Sequence, residues 1–170
     1  MQASPLVSII MGSTSDLPIM EKAAARLDVL GIPFEMLALS AHRTPREVEE
    51  FATTAKERGI KVIIGAAGMA AHLCGVIASM TSIPVIGVPI KASLEGVDAL
   101  YSMVQMPPGI PVATVGINAA ENAALLAVQM MATSDEELYR RLEAYKESLK
   151  EKVVKANREL AEVKFEHKTN

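Results

Sequence analysis

The sequence predicts a three-layer α/β fold that is built on a parallel sheet and followed by a long C-terminal helix. Short apolar runs alternate with segments of helical periodicity through most of the chain. Several of the runs are apolar at consecutive positions, as expected for strands that helices cover on both faces. A repeated strand, helix and strand pattern implies right-handed crossovers, which make the strands parallel and place helices on both faces of the sheet.

Five apolar runs predict the strands of this sheet. They are residues 6–12 (LVSIIMG), 34–40 (FEMLALS), 61–67 (KVIIGAA), 84–88 (PVIGV) and 112–117 (VATVGI). Four segments between and after them have apolar residues at helical spacing and predict helices. These segments are residues 18–30, 45–58, 69–80 and 119–132.

Particular residues mark where two of these helices begin or end. Gly31 and Gly59 lie where helix C-caps belong. Thr44 and Glu47 have the spacing of a capping box, and Pro45 suits the first helical position. The second helix is therefore predicted to begin at Pro45.

Residues 91–111 break the alternation of strands and helices. This segment contains a predicted helical turn at 97–104 and then a Pro-Pro-Gly loop. Such an excursion from a compact fold is often functional, but a plain surface connection explains it equally well.

The C-terminal segment differs in kind from the rest of the chain. Ser134 and Glu137 form a second capping-box pattern at its start. The helix predicted over residues 134–164 has an apolar stripe made of Leu138, Leu142, Tyr145, Leu149 and Val153. Of the 37 residues from 134 onward 18 are charged, whereas the preceding 133 residues carry only 19 charges.

A body so poor in charge is expected to cover much of its surface with copies of itself. We therefore predict a single domain over residues 1–170, with an α/β body at 1–133 and a tail at 165–170. The helix at 134–164 is predicted to pack on a neighbouring subunit. Packing of that helix on its own sheet is the alternative.

Composition argues against a nucleic-acid-binding or secreted protein. Half of the 170 residues are apolar, and a net charge of −3 with a pI near 5.7 does not favour a polyphosphate partner. Cys74 is the only cysteine, which excludes an internal disulfide and favours a reducing compartment. The N-terminus lacks the basic region of a signal peptide. We expect the protein to be cytoplasmic.

Residues 62–90 contain no Asp, Glu, Lys or Arg, and the run is long enough to span a bilayer. Four glycines, two prolines and His72 interrupt it, however. A buried strand, a helix and a second buried strand fit this pattern better, so no membrane span is predicted.

Ligand chemistry is expected where the strands end, because the crevice of an open parallel sheet lies outside their carboxyl ends. GSTSD, residues 12–16, follows the first strand. Small hydroxyl residues and free backbone N–H groups at a helix start suit a phosphate, and Asp16 could accept hydrogen bonds from ribose hydroxyls. Helix capping explains Ser15 and Asp16 equally well.

SAHRTP, residues 40–45, follows the second strand. The planar guanidinium of Arg43 can bond two phosphate oxygens at once. Imidazoles titrate near neutrality, so His42 could both give and take a proton at this edge of the sheet. A structural, hydrogen-bonded histidine is an equal alternative for His42.

GAAGMAAHLCG, residues 65–75, follows the third strand. Its small residues let a planar ligand or a carboxylate approach the backbone closely. His72 and Cys74 have no further ligands at metal-binding spacing, so no metal site is predicted. A Walker loop, a nucleophile elbow and a GxGxxG fingerprint are also missing from the sequence. The residues thus indicate a phosphorylated small ligand and histidine acid–base chemistry, without naming the substrate.

The motifs taken together resemble the N5-carboxyaminoimidazole ribonucleotide mutase family of bacterial purine biosynthesis. They are GSTSDLP, SAHRTP, GAAGMAAHL and VQMPPGIPVATVGINAAENAALLA, and they occur in the family's order from the first strand to about residue 132. Two positions depart from the family pattern. Gly68-Met69 stands where a Gly-Gly pair is usual, and Cys74 stands where Pro is usual.

The resemblance implies a flavodoxin-like fold, a homo-octamer with active sites at subunit contacts, and no metal or other cofactor. The substrate would be a small phosphoribosyl aminoimidazole whose carboxyl group moves from the exocyclic nitrogen N5 to ring carbon C4. The resemblance assigns Ser13, Ser15, Asp16 and Arg43 to the phosphoribosyl part, and Ser40, Ala41, His42, Gly68, His72 and Leu73 to the aminoimidazole and migrating carboxylate.

The chemistry of such a transfer needs one proton carrier. Breaking the carbamate needs a proton on nitrogen, and restoring aromaticity after carboxylation needs a proton removed from carbon, so we predict that His42 does both. Small apolar walls, such as those of Ala66, Ala67, Ala70 and Ala71, would keep carbon dioxide from escaping.

Other functions remain open from the residues alone. A non-catalytic sensor of phosphorylated ligands has no need of two site histidines, and a structural assembly protein needs only the charge-poor body and the terminal helix. A carboxylase branch of the family, which uses free carbon dioxide, more often has SAHK and lacks the histidine of AAHL. Arg43 and His72 therefore favour the mutase branch.

Overall fold

The structure of the chain, a computed structural model, describes residues 4–170. The chain divides into two compact units, with the boundary after residue 131. The first unit contains the sheet and the helices that cover it. The second unit, residues 132–170, contains the long C-terminal helix.

The first unit is built on a five-stranded parallel sheet, which confirms the predicted fold class. The strands are β1 (Val7–Met11), β2 (Phe34–Ala38), β3 (Val62–Gly68), β4 (Val85–Ile90) and β5 (Ala113–Thr114). Their order is β2-β1-β3-β4-β5. The chain thus crosses to opposite sides of β1, and the crevice that such a reversal opens lies at the carboxyl ends of β1 and β3.

Helices cover both faces of this sheet. They are α1 (Leu17–Val29), α2 (Pro45–Thr54), α3 (Leu73–Met80), α4 (Val97–Val104) and α5 (Ala120–Ala132). Val48 of α2, Ile77 of α3 and Met103 of α4 are fully buried in one core cluster with Ile63 of the sheet. Helices α1 and α5 form the other layer, where Arg26 Nε donates a hydrogen bond to Glu121.

One helix end agrees with the sequence: Gly31, with a φ of 68°, adopts the left-handed conformation just after α1. Helix α2 ends at Thr54, short of the predicted residue 58, and Gly59, with a φ of 91°, closes the turns that follow it. The fifth strand is shorter than predicted. After Thr114 the chain follows β4 only as far as Asn118, whose φ of 58° turns it toward α5.

The prediction that α3 begins near residue 69 is wrong. Gly68 still belongs to β3, and Met69 has a φ of 57°, which is outside any right-handed helix. Residues 69–72 form a turn in which the His72 N–H bonds the Ala70 carbonyl at 2.9 Å. His72 is therefore the residue just before α3 rather than one turn inside it.

Both predicted capping boxes are wrong. The Thr44 side chain makes no capping bond to α2 and instead turns back to Ser40. In the second unit, helix α6 (Glu136–Glu162) is capped by Asp135, which accepts bonds from the N–H groups of Glu137 and Leu138 at 3.0 Å each. Local alternatives for a hydroxyl decide such details, and spacing alone does not reveal them.

Only part of the apolar stripe of α6 is buried. Leu138 and Leu142 are buried, whereas Leu149 and Val153 are exposed.

The uncharged run at residues 62–90 forms β3, α3 and β4, as the sequence predicts. Across residues 4–170, no helix combines the length and the apolar character needed to cross a membrane.

Candidate active site

The loops that follow β1, β2 and β3 surround one cavity of about 170 Å³ at the predicted edge of the sheet. Eight of the ten predicted site residues line it, namely Ser13, Ser15, Asp16, Ser40, Ala41, His42, Gly68 and Leu73. The other two, Arg43 and His72, do not line the cavity but are bonded to residues that do. The topology thus gathers residues that are up to 60 positions apart in the chain, from Ser13 to Leu73.

The loop after β1 presents hydroxyls and a carboxylate to this cavity. Ser13 Oγ accepts hydrogen bonds from the Ser15 N–H at 3.2 Å and from Ser15 Oγ at 2.8 Å. Asp16, at the start of α1, is only 7% exposed. Burial raises the pKa of the Asp16 carboxyl, and hydrogen bonds from Ser15 and the Ser13 backbone offset that rise only in part. Burial removes water molecules from the Asp16 carboxylate, and the hydroxyls of a ribose could donate hydrogen bonds in their place.

Asp16→Asn should raise the stability of the unliganded protein near neutral pH and weaken ligand binding. The pKa of Asp16 in the folded chain is raised above its ordinary value of 3.8. Ionisation of Asp16 therefore destabilises the folded chain as the pH rises from 3.8 through the raised pKa. The stability difference from wild type should therefore vanish below about pH 3.8 and persist at pH 7. Thermal unfolding at both pH values measures this stability difference.

The affinity of the Asp16→Asn variant for a ribonucleotide should fall ~10-fold, and normal binding by this variant would contradict the expected ribose contact.

The loop after β2 is held in shape by its own side chains. Thr44 Oγ1 accepts a hydrogen bond from the Ser40 N–H at 2.9 Å and donates one to the Ser40 carbonyl at 3.1 Å. Arg43 Nη2 reaches the Gly12 carbonyl at 3.2 Å, and Arg43 Nε reaches Ser40 Oγ at 3.4 Å. Arg43 is exposed, so its guanidinium joins the first two loops while it stays open to a ligand.

His42 and His72 form a direct pair beside the cavity. His42 Nε2 lies 2.9 Å from His72 Nδ1, and the ring planes are nearly perpendicular at 85°. A nitrogen–nitrogen hydrogen bond of this kind requires one ring to donate a proton and the other to accept it. Both histidines are exposed. Sequence reasoning placed both residues near the ligand but did not predict this contact.

The loop after β3 brings backbone close to the cavity. At Gly68 a Cβ atom would lie 2.9 Å from Ala92 Cβ and 3.2 Å from the Ile90 carbonyl oxygen, so only glycine fits. Cys74 is fully buried against Gly65, and burial raises the pKa of its thiol to about 12. Cys74 is thus unsuited to be a nucleophile. Within the described part of the chain, no three His, Cys, Asp or Glu side chains converge to hold a metal ion.

Apart from the predicted alanines, three residues of the cavity wall were not predicted as site residues. They are Gly12 directly after β1, Met69 after Gly68, and Ala92 after β4. The signal for Ala92 was available, because β4 ends at the same edge of the sheet as the other strands. Of the four alanines predicted as apolar walls, Ala67 and Ala70 line the cavity. Ala66 and Ala71 are instead fully buried in the core.

A sequence model of the AIR carboxylase family matches residues 6–152, which include every element of this site. The chain belongs to the AIR carboxylase family. Similar mutases, described next, confirm the motif-based resemblance to N5-carboxyaminoimidazole ribonucleotide mutases. The AIR carboxylase family contains enzymes, so the sensor and assembly-protein alternatives lose their support.

Named members of this family are similar over most of the chain. The N5-carboxyaminoimidazole ribonucleotide mutase of Pyrococcus abyssi is 57% identical over 86% of this chain and 84% of its own length. That of Thermotoga maritima is 50% identical over 98% of both chains. The phosphoribosylaminoimidazole carboxylase of Saccharomyces cerevisiae is 52% identical over 95% of this chain, which spans only 28% of that longer protein.

The fold of a solved family structure is also similar. The crystal structure of Treponema denticola PurE superposes with a TM-score of 0.83 at 33% identity, over 92% of this chain and 98% of that chain. The flavodoxin-like architecture predicted from the resemblance is therefore confirmed by an experimental relative.

Proposed function

We propose that this chain is an N5-carboxyaminoimidazole ribonucleotide mutase of purine biosynthesis. It would move the carboxyl group from N5 to C4 and yield 4-carboxy-5-aminoimidazole ribonucleotide. The observation that carries the proposal is a single cavity that is lined by Ser13, Ser15 and Asp16 of the first loop and by His42 of the second. The mutases of similar sequence support the same substrate.

The phosphoribosyl end of the substrate would bind between the first two loops. Ser13 and Ser15 offer hydroxyl donors at the N-terminal end of α1, and Arg43 offers a planar cation beside Gly12. The buried carboxylate of Asp16 is suited to accept bonds from the ribose hydroxyls. This end of the site would position the aminoimidazole ring against Ser40, Ala41 and the residues of the third loop.

His42 would carry the proton in both halves of the reaction. First it gives a proton to N5 as the nitrogen–carboxyl bond breaks, which releases carbon dioxide and aminoimidazole ribonucleotide (AIR). Carbon C4 then attacks the carbon dioxide, and His42 removes the C4 proton to restore aromaticity. The side chain ends as it began, so the net reaction is an isomerisation that needs no co-reactant. The bond to His72 at 2.9 Å supports this role because it orients the imidazole.

Retention of carbon dioxide would fall to the apolar part of the wall. Ala41, Ala67 and Ala70 line the same cavity as His42, and their methyl side chains offer no hydrogen bonds to water. Such a wall favours recombination at C4 over hydration and escape.

Direct carboxylation of AIR is the second candidate, because the carboxylase of Saccharomyces cerevisiae is as similar in sequence as several mutases. The two are distinguished by initial rates at low bicarbonate, with enzyme-free controls for spontaneous breakdown of the carbamate. We expect rapid conversion of N5-carboxyaminoimidazole ribonucleotide and slow carboxylation of AIR. Faster use of AIR and carbon dioxide would favour the carboxylase, and no product from either substrate would refute the whole assignment.

We further propose that the chain works as a homo-oligomer, and the resemblance points to an octamer. The low charge of residues 1–133 and the exposed Leu149 and Val153 of α6 support burial between copies. Sedimentation at micromolar concentration tests this, and a single species near 18.2 kDa would contradict it. A cytoplasmic location and independence from metals and other cofactors stay predictions.

A further inference from the structure

Met69 occupies a backbone conformation that side chains rarely adopt. Its φ is 57°, in the left-handed region that glycine enters freely and other residues enter at a penalty. The residue belongs to no helix or strand and has no place in the core cluster around α2 and α3. Neither secondary structure nor core packing therefore explains a methionine here.

Met69 lies at the rim of the active-site cavity. It is one of the residues that line the cavity, yet it is 62% exposed, so the residue reaches both the cavity and solvent. Its neighbours in the wall are small, because Gly68 has no room for a side chain and Ala70 and Ala41 carry only methyl groups. Among the described residues that line the cavity, Met69 is thus the one long apolar side chain that is exposed, since Leu73 is buried.

A methionine at this rim is suited to cover a bound ligand. Its unbranched side chain has three rotatable bonds and an apolar, polarizable thioether, so it can change rotamer as a ligand enters and leaves. The left-handed backbone conformation fixes the position of the Met69 backbone, while the exposed side chain can still change rotamer. Glycine at the same position would keep the loop but remove the cover.

We propose that Met69 covers the mouth of the cavity during the reaction and slows the escape of carbon dioxide before it recombines with C4. This inference rests on the proposed mutase function. In each turnover the N5–carboxyl bond breaks, and the carbon dioxide either forms the C4–carboxyl bond or leaves as free gas together with AIR. Met69 acts on that partition and takes no part in the proton transfers of His42.

The partition is measured in a single turnover, with enzyme in excess over N5-carboxyaminoimidazole ribonucleotide that carries ¹³C in its carboxyl group. The readout is the ratio of labelled C4 product to AIR. Met69→Gly should increase the release of AIR by ~5-fold or more, because the open rim lets the gas escape. Met69→Leu, which keeps an apolar cover, should behave as wild type. The unfolding temperature of Met69→Gly should be unchanged or higher, since glycine relieves the left-handed backbone.

Glu95→Gly is the matched control. Glu95 also has a φ of 57° and is exposed, but it does not line the cavity. Its replacement should leave the partition unchanged. If wild type retains the label and Met69→Gly retains it equally, the inference is wrong while the mutase function stands. Loss of conversion by Met69→Gly without release of AIR would also overturn it. If wild type forms no C4 product, the proposed function fails and the inference falls with it.

Discussion

His42→Asn is expected to lower turnover by ~10²-fold or more while the substrate still binds. Asparagine keeps much of the shape and hydrogen bonding of the imidazole but cannot titrate. The variant would therefore lack the group that is proposed to protonate N5 and to remove the proton from C4. Steady-state rates with the carbamate measure turnover, and calorimetric titration with the C4-carboxylated product measures binding. A variant that retains near-normal turnover would show that the proton carrier is another group.

His72→Asn provides the matched comparison for His42. The 2.9 Å contact between His42 Nε2 and His72 Nδ1 would orient His42 for its proposed proton transfers, so loss of His72 should reduce turnover less than loss of His42. Turnover in His72→Asn equal to that of wild type would indicate that the contact with His72 does not position His42.

Arg43→Ala is expected to raise the KM for the phosphorylated substrate by ~10- to 100-fold with a smaller effect on turnover. The substitution would remove the proposed charge-assisted bond to the substrate phosphate. It also removes the links to the Gly12 carbonyl and Ser40 Oγ that hold the first two loops together. Arg43→Lys keeps the charge without the planar fork and should fall between wild type and alanine.

Two controls separate phosphate binding from a general loss of structure. Arg46→Ala removes an exposed cation from the first turn of α2, three residues further on and outside the cavity wall, and should leave KM unchanged. A substrate analogue without the phosphate should bind wild type and Arg43→Ala with similar affinity. If Arg43→Ala weakens the binding of the substrate and of this analogue equally, the guanidinium organises the loops and does not bind phosphate.

Several features of the fold were predictable because they depend on neighbours in sequence. Consecutive apolar residues in β1 and β3 reveal strands that are buried on both faces. Gly31 marks the end of α1 because glycine enters the left-handed region without a penalty. Alternation of strands with helices predicts the parallel sheet, and a parallel sheet in turn predicts the edge at which the site lies.

Hydroxyl caps were less predictable, because a serine or threonine side chain has several local partners. The Thr44 hydroxyl bonds Ser40 rather than α2, and Asp135 caps α6 in place of Ser134. Similarly, the small apolar residues after β3 suit either a helix or a turn. The close approach of Gly68 to Ala92 and the left-handed Met69 delay the start of α3 to Leu73.

The sequence by itself determined the fold class, the family and the three loops that carry the site, because each depends on patterns within a short stretch. Only the tertiary structure decided which atoms meet across those loops. The pairing of His42 with His72, the reach of Arg43 to Gly12 and the burial of Asp16 join or enclose residues from different strand ends. Such contacts depend on strand order and on packing between elements, which no local pattern encodes.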